Sequence, residues 1–406
     1  MNKLPRRVVI TGSGVVSALG CSAQELFANL LAGASAVKLM DDWQIKVPAA
    51  PINDFVLPEE LNKRCWTRTM GRLSQYCAVA ATAAVRDSGL TQLPENGRTA
   101  CVIGSTFGST GILDDTYNTL LRGGGMNDVS PMNFFKTVSH TAVCNTANVL
   151  GIDGAVYAPA AACASGLQAI GMAALLIASG EADCAVAGGG EELCQRVVES
   201  FILMDAQAHC GNSCAADYPR PFDSRRNGLV CGEGAAVVVL EEYESARKRG
   251  ANIIAEICGY ATNRCWNSIT QSDSLAIKKC FAMLQEKCQF PTGRKFAVNA
   301  HATGTVQGDQ AEAEALYKFF GSNVPVSSFK GNLGHTLGAA GAMELIAALE
   351  MMNHNIVLPT RNLSNPAAEC CKLDLVNTVR EEKYDMLLKN SFAFGGINAV
   401  MLCSKI

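Results

Sequence analysis

The chain lacks the features that mark membrane-spanning, secreted and nucleic-acid-binding proteins. No segment approaches about 18 uninterrupted apolar residues, so we expect none that crosses a bilayer. The apolar stretch at the amino terminus reaches Gly12 and Ser13 too soon to form the core of a signal peptide. The net charge is only −3, so no global basic field attracts the chain to nucleic acid or to a membrane. We therefore expect a cytoplasmic protein.

Paired cysteine motifs are also missing, although cysteine itself is abundant. The chain has 18 cysteines but no pair of C-x-x-C elements, so neither a zinc site nor a redox dithiol is indicated. Most of them lie in apolar runs, where a reduced cysteine behaves as a small hydrophobic residue. The sequence offers no motif for a metal or for an organic cofactor, and we expect neither.

What is present indicates a large α/β enzyme. The chain of 406 residues is 49% hydrophobic and has 37 glycines, which is typical of an extensive core with many tight turns. Short β-branched runs alternate with alanine-rich runs of helical period, which predicts a mainly parallel sheet covered by helices. The predicted helices cover residues 24–32, 72–87, 165–179, 275–285, 310–320 and 339–352, and the last strand is predicted over the whole of SFAFGGINAVMLC.

The order of strands and helices restarts after Glu242, which suggests an old duplication. We expect an amino-terminal half over residues 1–245 and a carboxyl-terminal half over residues 246–406. No linker rich in proline or serine separates them, so the halves are expected to pack as one body.

Three short segments place reactive side chains among small residues. Cys163 in AAACASG precedes a predicted helix, whose dipole favours a thiolate. His301 in NAHATGT and His335 in FKGNLGHTLGAAG lie at strand-to-helix turns, where α/β sheets collect functional groups. For any one of these residues a structural role is the stronger interpretation. Their combination favours a site made of one cysteine and two histidines.

A fourth segment, NSFAFGGIN, carries Gly395 and Gly396 directly after Phe394. Two glycines can bring bare backbone N–H groups close to a reacting centre, as an oxyanion hole requires. A simple β-turn explains the segment equally well.

Taken together and in this order, the four segments resemble the ketoacyl synthase I/II branch of the thiolase superfamily. The segments RPFDSRRNGLVCGEGA, which begins at Arg220, and VLEEYESARKRGA extend the resemblance, which covers nearly the whole chain. It implies a thiolase-like α/β fold in which two duplicated β-α halves form a layered α-β-α-β-α body. It also implies a β-ketoacyl-[acyl-carrier-protein] synthase, an acyltransferase that joins an acyl chain to malonyl-carrier protein by decarboxylative Claisen condensation.

The resemblance also implies roles for particular residues. Cys163 resembles the acyl-accepting nucleophile, and His301 and His335 resemble the pair that holds the malonyl carbonyl during loss of carbon dioxide. Lys330 resembles the lysine that biases the neighbouring histidine. The N–H groups of Cys163 and Phe394 resemble the oxyanion hole, and the gate is formed by Phe392, Phe394, Gly395 and Gly396. The supporting positions are Thr303, Thr305, Asp309, Glu312 and Glu344.

The chain departs from the family pattern at four positions. Ala161, Gly331 and Ala393 stand where relatives often have threonine, serine and glycine or serine, respectively. None of these changes removes a reactive group, although the mobility of the gate loop could differ. Asn133 falls where fatty-acid enzymes place an aromatic residue, which hints at a polyketide or aryl-polyene pathway rather than at fatty acid synthesis.

An acyl carrier protein is the implied partner, and carrier proteins are acidic. The best basic cluster to receive one is Lys63, Arg64, Arg68 and Arg72, although a solvated helix face explains the cluster equally well. The resemblance implies a dimer with its contact around residues 133–146, formed either with a second copy or with a related chain-length subunit. Two other functions stay open: a thiolase, which would need a second active-site cysteine near the carboxyl terminus, and a non-catalytic chain-length partner, which would lack the nucleophile.

Overall fold

The computed structural model describes residues 6–211, 213–288 and 295–406. Residues 1–5 of the amino-terminal stretch discussed above therefore lie outside the described residues. The strands are β1 (Val8–Val16), β2 (Lys38–Met40), β3 (Val47–Ala49), β4 (Thr99–Gly104), β5 (Val156–Tyr157), β6 (Cys184–Glu191), β7 (Gly234–Glu242), β8 (Ala255–Arg264), β9 (Phe296–Asn299), β10 (Pro325–Ser327), β11 (Ile356–Val357), β12 (Asp374–Leu375), β13 (Arg380–Glu381), β14 (Met386–Ala393) and β15 (Ile397–Ser404).

The helices agree closely with the predicted ones. They are α1 (Ala23–Leu31), α2 (Arg64–Thr67), α3 (Arg72–Asp87), α4 (Thr110–Leu121), α5 (Asn133–Thr137), α6 (Thr141–Leu150), α7 (Ser165–Ser179), α8 (Gln195–Leu203), α9 (Tyr243–Lys248), α10 (Ser274–Lys287), α11 (Val306–Phe320), α12 (Lys330–Leu333) and α13 (Ala340–Asn353). The predicted boundary between residues 245 and 246 falls inside α9.

Eleven strands form one sheet, in the order β12-β10-β9-β14-β15-β8-β1-β7-β6-β4-β5. The sheet is mixed, so the prediction of a mainly parallel sheet was wrong. Parallel pairing is confined to the two ends, whereas β14, β15, β8, β1, β7 and β6 pair antiparallel with one another. The single strand predicted over SFAFGGINAVMLC is in fact the hairpin β14–β15, because Gly395 and Gly396 both adopt positive φ and reverse the chain.

The two halves repeat one strand order. Outward from the centre of the sheet, the amino-terminal half runs β1-β7-β6-β4-β5, and the carboxyl-terminal half runs β8-β15-β14-β9-β10. If only the five strands of each series are numbered in chain order, both series read first, fifth, fourth, second, third, with the same parallel and antiparallel pairings. Strand β12 extends the second series at its outer edge. This repeat, together with the layers described below, confirms the prediction of two duplicated β-α halves.

Helices α7 and α13 form the central layer of the molecule. Both pack against strands of both halves, while α3 covers the outer side of the amino-terminal strands and α10 that of the carboxyl-terminal strands. Small residues let the two central helices touch: a Cβ on Gly341 would lie 2.7 Å from the backbone nitrogen of Leu167, and one on Gly166 would lie 2.7 Å from the carbonyl of Gly338.

Each central helix begins with the same unusual turn. A 3₁₀ turn at Ala162–Ala164 precedes α7, and a second at Leu337–Ala339 precedes α13. The first residue of each turn has φ +47°, a conformation that costs energy for a residue with a Cβ. The duplication therefore extends to these two helix starts, one of which contains Cys163 while His335 lies just before the other.

Within the described residues, one segment is long and apolar enough to cross a membrane by length and composition alone, Ala162–Ser179. It includes α7, and 61% of it is buried inside the protein. Its apolar character reflects its place in the central layer of the core.

Candidate active site

The three predicted reactive residues meet at the centre of the molecule. The Cys163 thiol and the ring nitrogens of His301 and His335 supply one atom each, and these atoms all lie within 4.8 Å of one another. The two imidazole centroids are 5.3 Å apart, with the rings at 78° to each other. All three side chains are buried.

Cys163 sits in the strained 3₁₀ turn before α7. The Ser165 hydroxyl accepts from the Ala161 N–H at 2.9 Å and donates to the Ala162 carbonyl at 2.7 Å, which fixes the turn. Burial raises the pKa of the Cys163 thiol to about 12, against the opposing influence of Lys330. Burial therefore acts against the thiolate that the helix start is expected to favour and holds the resting group as a thiol.

The two histidines are neutral for two reasons. Burial lowers the pKa of each imidazole well below its usual value, and the positive charge of Lys330 lowers it further. The backbone around them is fixed. Glu312 accepts from the N–H of His301 at 2.9 Å and from that of Ala302 at 2.7 Å, and the His335 N–H donates to the Val230 carbonyl at 2.6 Å.

A buried ion cluster lies beside the histidines. The Lys330 ammonium is 2.6 Å from one oxygen of Glu344, and the Lys389 ammonium is 2.6 Å from the other. All three side chains are inaccessible to solvent or nearly so. Lys330 and Glu344 were expected in the site, whereas Lys389 was not.

Asp309 organises the loop that follows His301. Its carboxylate accepts from the N–H groups of Thr303 at 2.9 Å, Gly304 at 3.1 Å and Phe222 at 2.7 Å. Burial raises the pKa of Asp309 to about 7, although these bonds act in the opposite direction. The Thr303 and Thr305 hydroxyls lie 3.0 Å apart at the end of the same loop. Asp309 and Glu312 thus both hold the backbone around His301 through hydrogen bonds.

Phe394 stands between a small inner cavity and a larger outer one. The inner cavity, of about 50 Å³, is lined by Cys163, both histidines, Phe392 and Phe394. The outer cavity, of about 550 Å³, shares Phe394 and Thr305 with it. The predicted gate glycines do not line either cavity, and the N–H of Gly395 is already bound to the Ile269 carbonyl at 2.7 Å.

The cluster of one thiol and two imidazoles has the ligand types of a transition-metal site, but its surroundings do not suit one. Imidazoles that bind a metal usually donate their second N–H to a carboxylate or carbonyl. Within the described residues, Nδ1 of His301 and both ring nitrogens of His335 have no hydrogen-bond partner. The ammonium of Lys330 also repels a second cation.

The predicted docking cluster lies outside both cavities. Lys63, Arg64 and Arg68 are exposed at and around α2, and the Lys63 ammonium lies 4.8 Å from the centre of the Trp66 ring. Arg72 is exposed as well, although it also forms a 3.4 Å ion pair with the buried carboxylate of Glu233.

Sequence reasoning missed three buried polar residues near the site: Lys389, Asn390 and Glu191. Asn390 donates to Glu312 at 2.8 Å, and Glu191 accepts from the Gly338 N–H at 3.0 Å. The sequence feature that could have revealed these residues is a polar residue inside or at the end of an apolar strand, as in MLLKNSFA and CAVAGGGE. Such a residue must find a buried partner.

Comparisons with known proteins agree with this arrangement. The family model of the β-ketoacyl synthase N-terminal domain matches residues 5–246, and that of the C-terminal domain matches residues 254–364. The chain is 34% identical to 3-oxoacyl-[acyl-carrier-protein] synthase 2 of Rhizobium meliloti (strain 1021), over 98% of both chains.

Solved structures are similar over their full length. A β-ketoacyl synthase from Burkholderia phymatum STM815 superimposes with a TM-score of 0.94 at 38% identity, covering 99% of this chain and 100% of that one. A second similar structure is that of a type II PKS acyl-carrier protein in complex with its ketosynthase bound to the hexaketide. It gives a TM-score of 0.90 at 27% identity and covers 99% of this chain and 100% of that one.

The repeated halves and the central helices therefore define a thiolase-like fold, with a buried thiol and two neutral imidazoles at its centre. The chain belongs to the β-ketoacyl synthase family.

Proposed function

We propose that this protein is a β-ketoacyl-[acyl-carrier-protein] synthase that works by decarboxylative Claisen condensation. The observation that carries the proposal is the meeting of the Cys163 thiol with the His301 and His335 rings in one buried cavity behind Phe394. A thiol is suited to receive an acyl group from a thioester. Two neutral imidazoles each supply one N–H to an enolate oxygen.

In the first half-reaction the acyl group moves from the carrier thiol to Cys163. Because the resting residue is a thiol, its proton must leave as sulfur attacks the thioester carbonyl. The proton passes to the departing carrier thiolate, so neither imidazole has to hold it beside the charge of Lys330. Acyl-Cys163 and free carrier thiol result, and no redox change occurs.

In the second half-reaction the malonyl thioester loses carbon dioxide. The electron pair of the broken C–C bond forms an enolate. The enolate oxygen accepts hydrogen bonds from the ring N–H groups of His301 and His335. The α-carbon then attacks the carbonyl carbon of acyl-Cys163. The N–H groups of Cys163 and Phe394 donate hydrogen bonds to the negatively charged oxygen of the tetrahedral intermediate. Collapse expels the Cys163 thiolate, which takes up a proton, and β-ketoacyl-carrier protein is the product.

The malonyl and acyl groups arrive on an acyl carrier protein. The outer cavity suits the slender arm that such a carrier would insert, with Phe394 as the gate between the arm and the thiol. The solved relative with its carrier protein supports this partner. We assign docking of the acidic carrier to the exposed cluster of Lys63, Arg64, Arg68 and Arg72.

We place the enzyme in the cytosol as a dimer, with a second copy or a related chain-length subunit as the other protomer. The apolar groove around Asn133 and Phe134, which also contains Leu113 and Met126, is the contact we propose. Residues 1–245 and 246–406 are the two domains. Fatty acid, polyketide and aryl-polyene synthesis all use this reaction, and Asn133 favours the latter two.

Mass spectrometry of the Cys163 peptide tests the proposal. Incubation with acyl-carrier protein should add one acyl group to Cys163, and malonyl-carrier protein should then release it as β-ketoacyl-carrier protein. Cys163→Ala should abolish both events. Cys403→Ala, a change of another fully buried cysteine, should retain both. Condensation by purified Cys163→Ala, or acylation at another cysteine, would contradict the assignment.

A further inference from the structure

The buried ion cluster holds one more positive charge than negative charges. Lys330 and Glu344 alone would form a neutral pair, but Lys389 binds the free oxygen of the same carboxylate at 2.6 Å. Lys389 is 0% exposed, and Glu344 is 1% exposed. An unbalanced charge is costly to bury, because little water is present to solvate it. An apolar side chain at this position of β14 would be less costly to bury, so the charge of Lys389 calls for a functional explanation.

The position of Lys389 ties this charge to the histidines. In the sheet Lys389 pairs with Asn299 at the end of β9, and His301 follows two residues later. The next residue of β14, Asn390, points to the other face and donates to Glu312, which accepts from the His301 N–H. The ring of Phe392, further along β14, lies 6.0 Å from that of His301.

We propose that Lys389 is a positioning residue, whose buried ammonium gives the Lys330–Glu344–Lys389 cluster its net positive charge and thereby keeps His301 and His335 neutral for decarboxylation. The inference rests on the proposed function and deepens it. A protonated imidazole would have to form beside a like charge, which the cluster opposes.

The charges around the imidazoles support this assignment. After burial and Lys330, Lys389 is a further group that lowers the pKa of both rings. Burial lowers the pKa of Lys389 itself only to about 8, so its ammonium persists through the acid range in which imidazoles titrate. Among the described residues, the other titratable or charged groups around the site include Cys163, Glu191, Cys231, Arg226, Asp309 and Glu312.

Two variants separate the charge of Lys389 from its bulk. Lys389→Met keeps much of the side-chain length and removes the charge, while Lys389→Arg keeps the charge. NMR of ¹⁵N-labelled histidine, assigned with single His301 and His335 variants, would follow each imidazole from pH 4 to 8. In Lys389→Met both titration midpoints should rise by about 1 pH unit, the size of shift that one nearby charge can produce. In Lys389→Arg they should stay at the parent values.

Decarboxylation of malonyl-carrier protein gives the functional readout. Activity needs neutral rings, so the acid limb of the pH profile should move upward in Lys389→Met by the same interval and stay in place in Lys389→Arg. A purely structural role would lower the rate at every pH and leave the midpoint unchanged. Unchanged midpoints in a folded Lys389→Met protein, or equal shifts in both variants, would overturn the proposal.

A further measurement guards against variants that do not fold. In the parent protein, ¹³C NMR of the lysine ε-carbons should show Lys389 charged at pH 6, and a neutral Lys389 there would overturn the inference. The proposed function fails separately, if the parent does not decarboxylate malonyl-carrier protein at any pH. The histidine titrations would decide the role of Lys389 even then.

Discussion

At Cys163, burial and reactivity act in opposite directions. Burial raises the pKa of the thiol to about 12, so the resting enzyme is protected from indiscriminate reaction with electrophiles. The thiol becomes nucleophilic only as its proton leaves, and the two imidazoles beside it stay neutral because burial and Lys330 lower their pKa values. The same exclusion of water therefore keeps the resting sulfur protonated and the two rings neutral.

Removing either imidazole tests this division of work. We expect His301→Ala and His335→Ala each to lose decarboxylation of malonyl-carrier protein by about 100-fold or more, as for the loss of one oxyanion donor. Acylation of Cys163 should suffer less, because the backbone N–H groups of the oxyanion hole remain. The assay is release of carbon dioxide, compared with acyl-enzyme formation by mass spectrometry.

His354→Ala provides the control, since that histidine is exposed at the end of α13. It should behave as the parent in both assays. Parent-like decarboxylation by both site variants would contradict the proposed roles.

At the scale of single elements, the short helix α2 carries the docking prediction. Arg64 and Arg68 are exposed, and an acidic carrier would be attracted to them through water, which mainly affects the association rate. Reversing both to glutamate should raise KM for acyl-carrier protein several-fold. Turnover of a small thioester without the carrier should barely change. The advantage of the parent should shrink at about 0.5 M salt, where the Debye length is ~4 Å.

A double reversal on another helix controls for total charge. Arg247 and Lys248 on α9 are also exposed, and their change to glutamate alters the net charge equally. This variant should keep the parent KM. If the Arg64 and Arg68 double variant lost equal activity with carrier-bound and carrier-free substrates, the change would have damaged the active site. If it lost no activity with either substrate, the docking surface would have to lie elsewhere.

The elements also show what the sequence can predict. Helices such as Arg72–Asp87 and Ser165–Ser179 were predicted to the residue, because apolar period and flanking glycines are local signals. Whether strands pair parallel or antiparallel depends on distant partners, so the mixed sheet and the β14–β15 hairpin were missed.

The same distinction applies to the candidate site. Cys163, His301 and His335 stand out because small residues surround them in the sequence. Lys389 and Glu191 lie in strands whose partners, Glu344 and Gly338, are far away in the chain. A polar residue in an apolar strand indicates a buried partner, but only the folded structure shows which residue that partner is.

At the scale of the whole molecule, the contact between α7 and α13 is the packing interface that joins the two halves. Gly341→Ala should lower the urea midpoint of unfolding and cost about 1–3 kcal/mol, because its Cβ would lie 2.7 Å from the Leu167 backbone nitrogen. Alanine is otherwise favoured over glycine inside a helix, so a loss would come from the contact between the helices. Activity should fall as the nucleophile moves away from the histidines.

The matched control is Gly125→Ala on the surface. The nearest atom to its added Cβ would be 3.7 Å away, and we expect a change within about 0.5 kcal/mol. Equal stability of the two variants would show that the central helices can separate without cost.

The repeated 3₁₀ turn has an evolutionary consequence. Ala162 and Leu337 occupy equivalent places with the same φ of +47°, so the counterpart of Cys163 in the carboxyl-terminal half is Gly338. The two copies of an ancestral unit have thus specialised: one keeps the nucleophile, and the other has glycine at that place and supplies the histidines. Neither half by itself contains all three residues of the proposed site. Selection on this gene must therefore act on both halves together. A recombination event that exchanged one half would have to preserve the packing between α7 and α13.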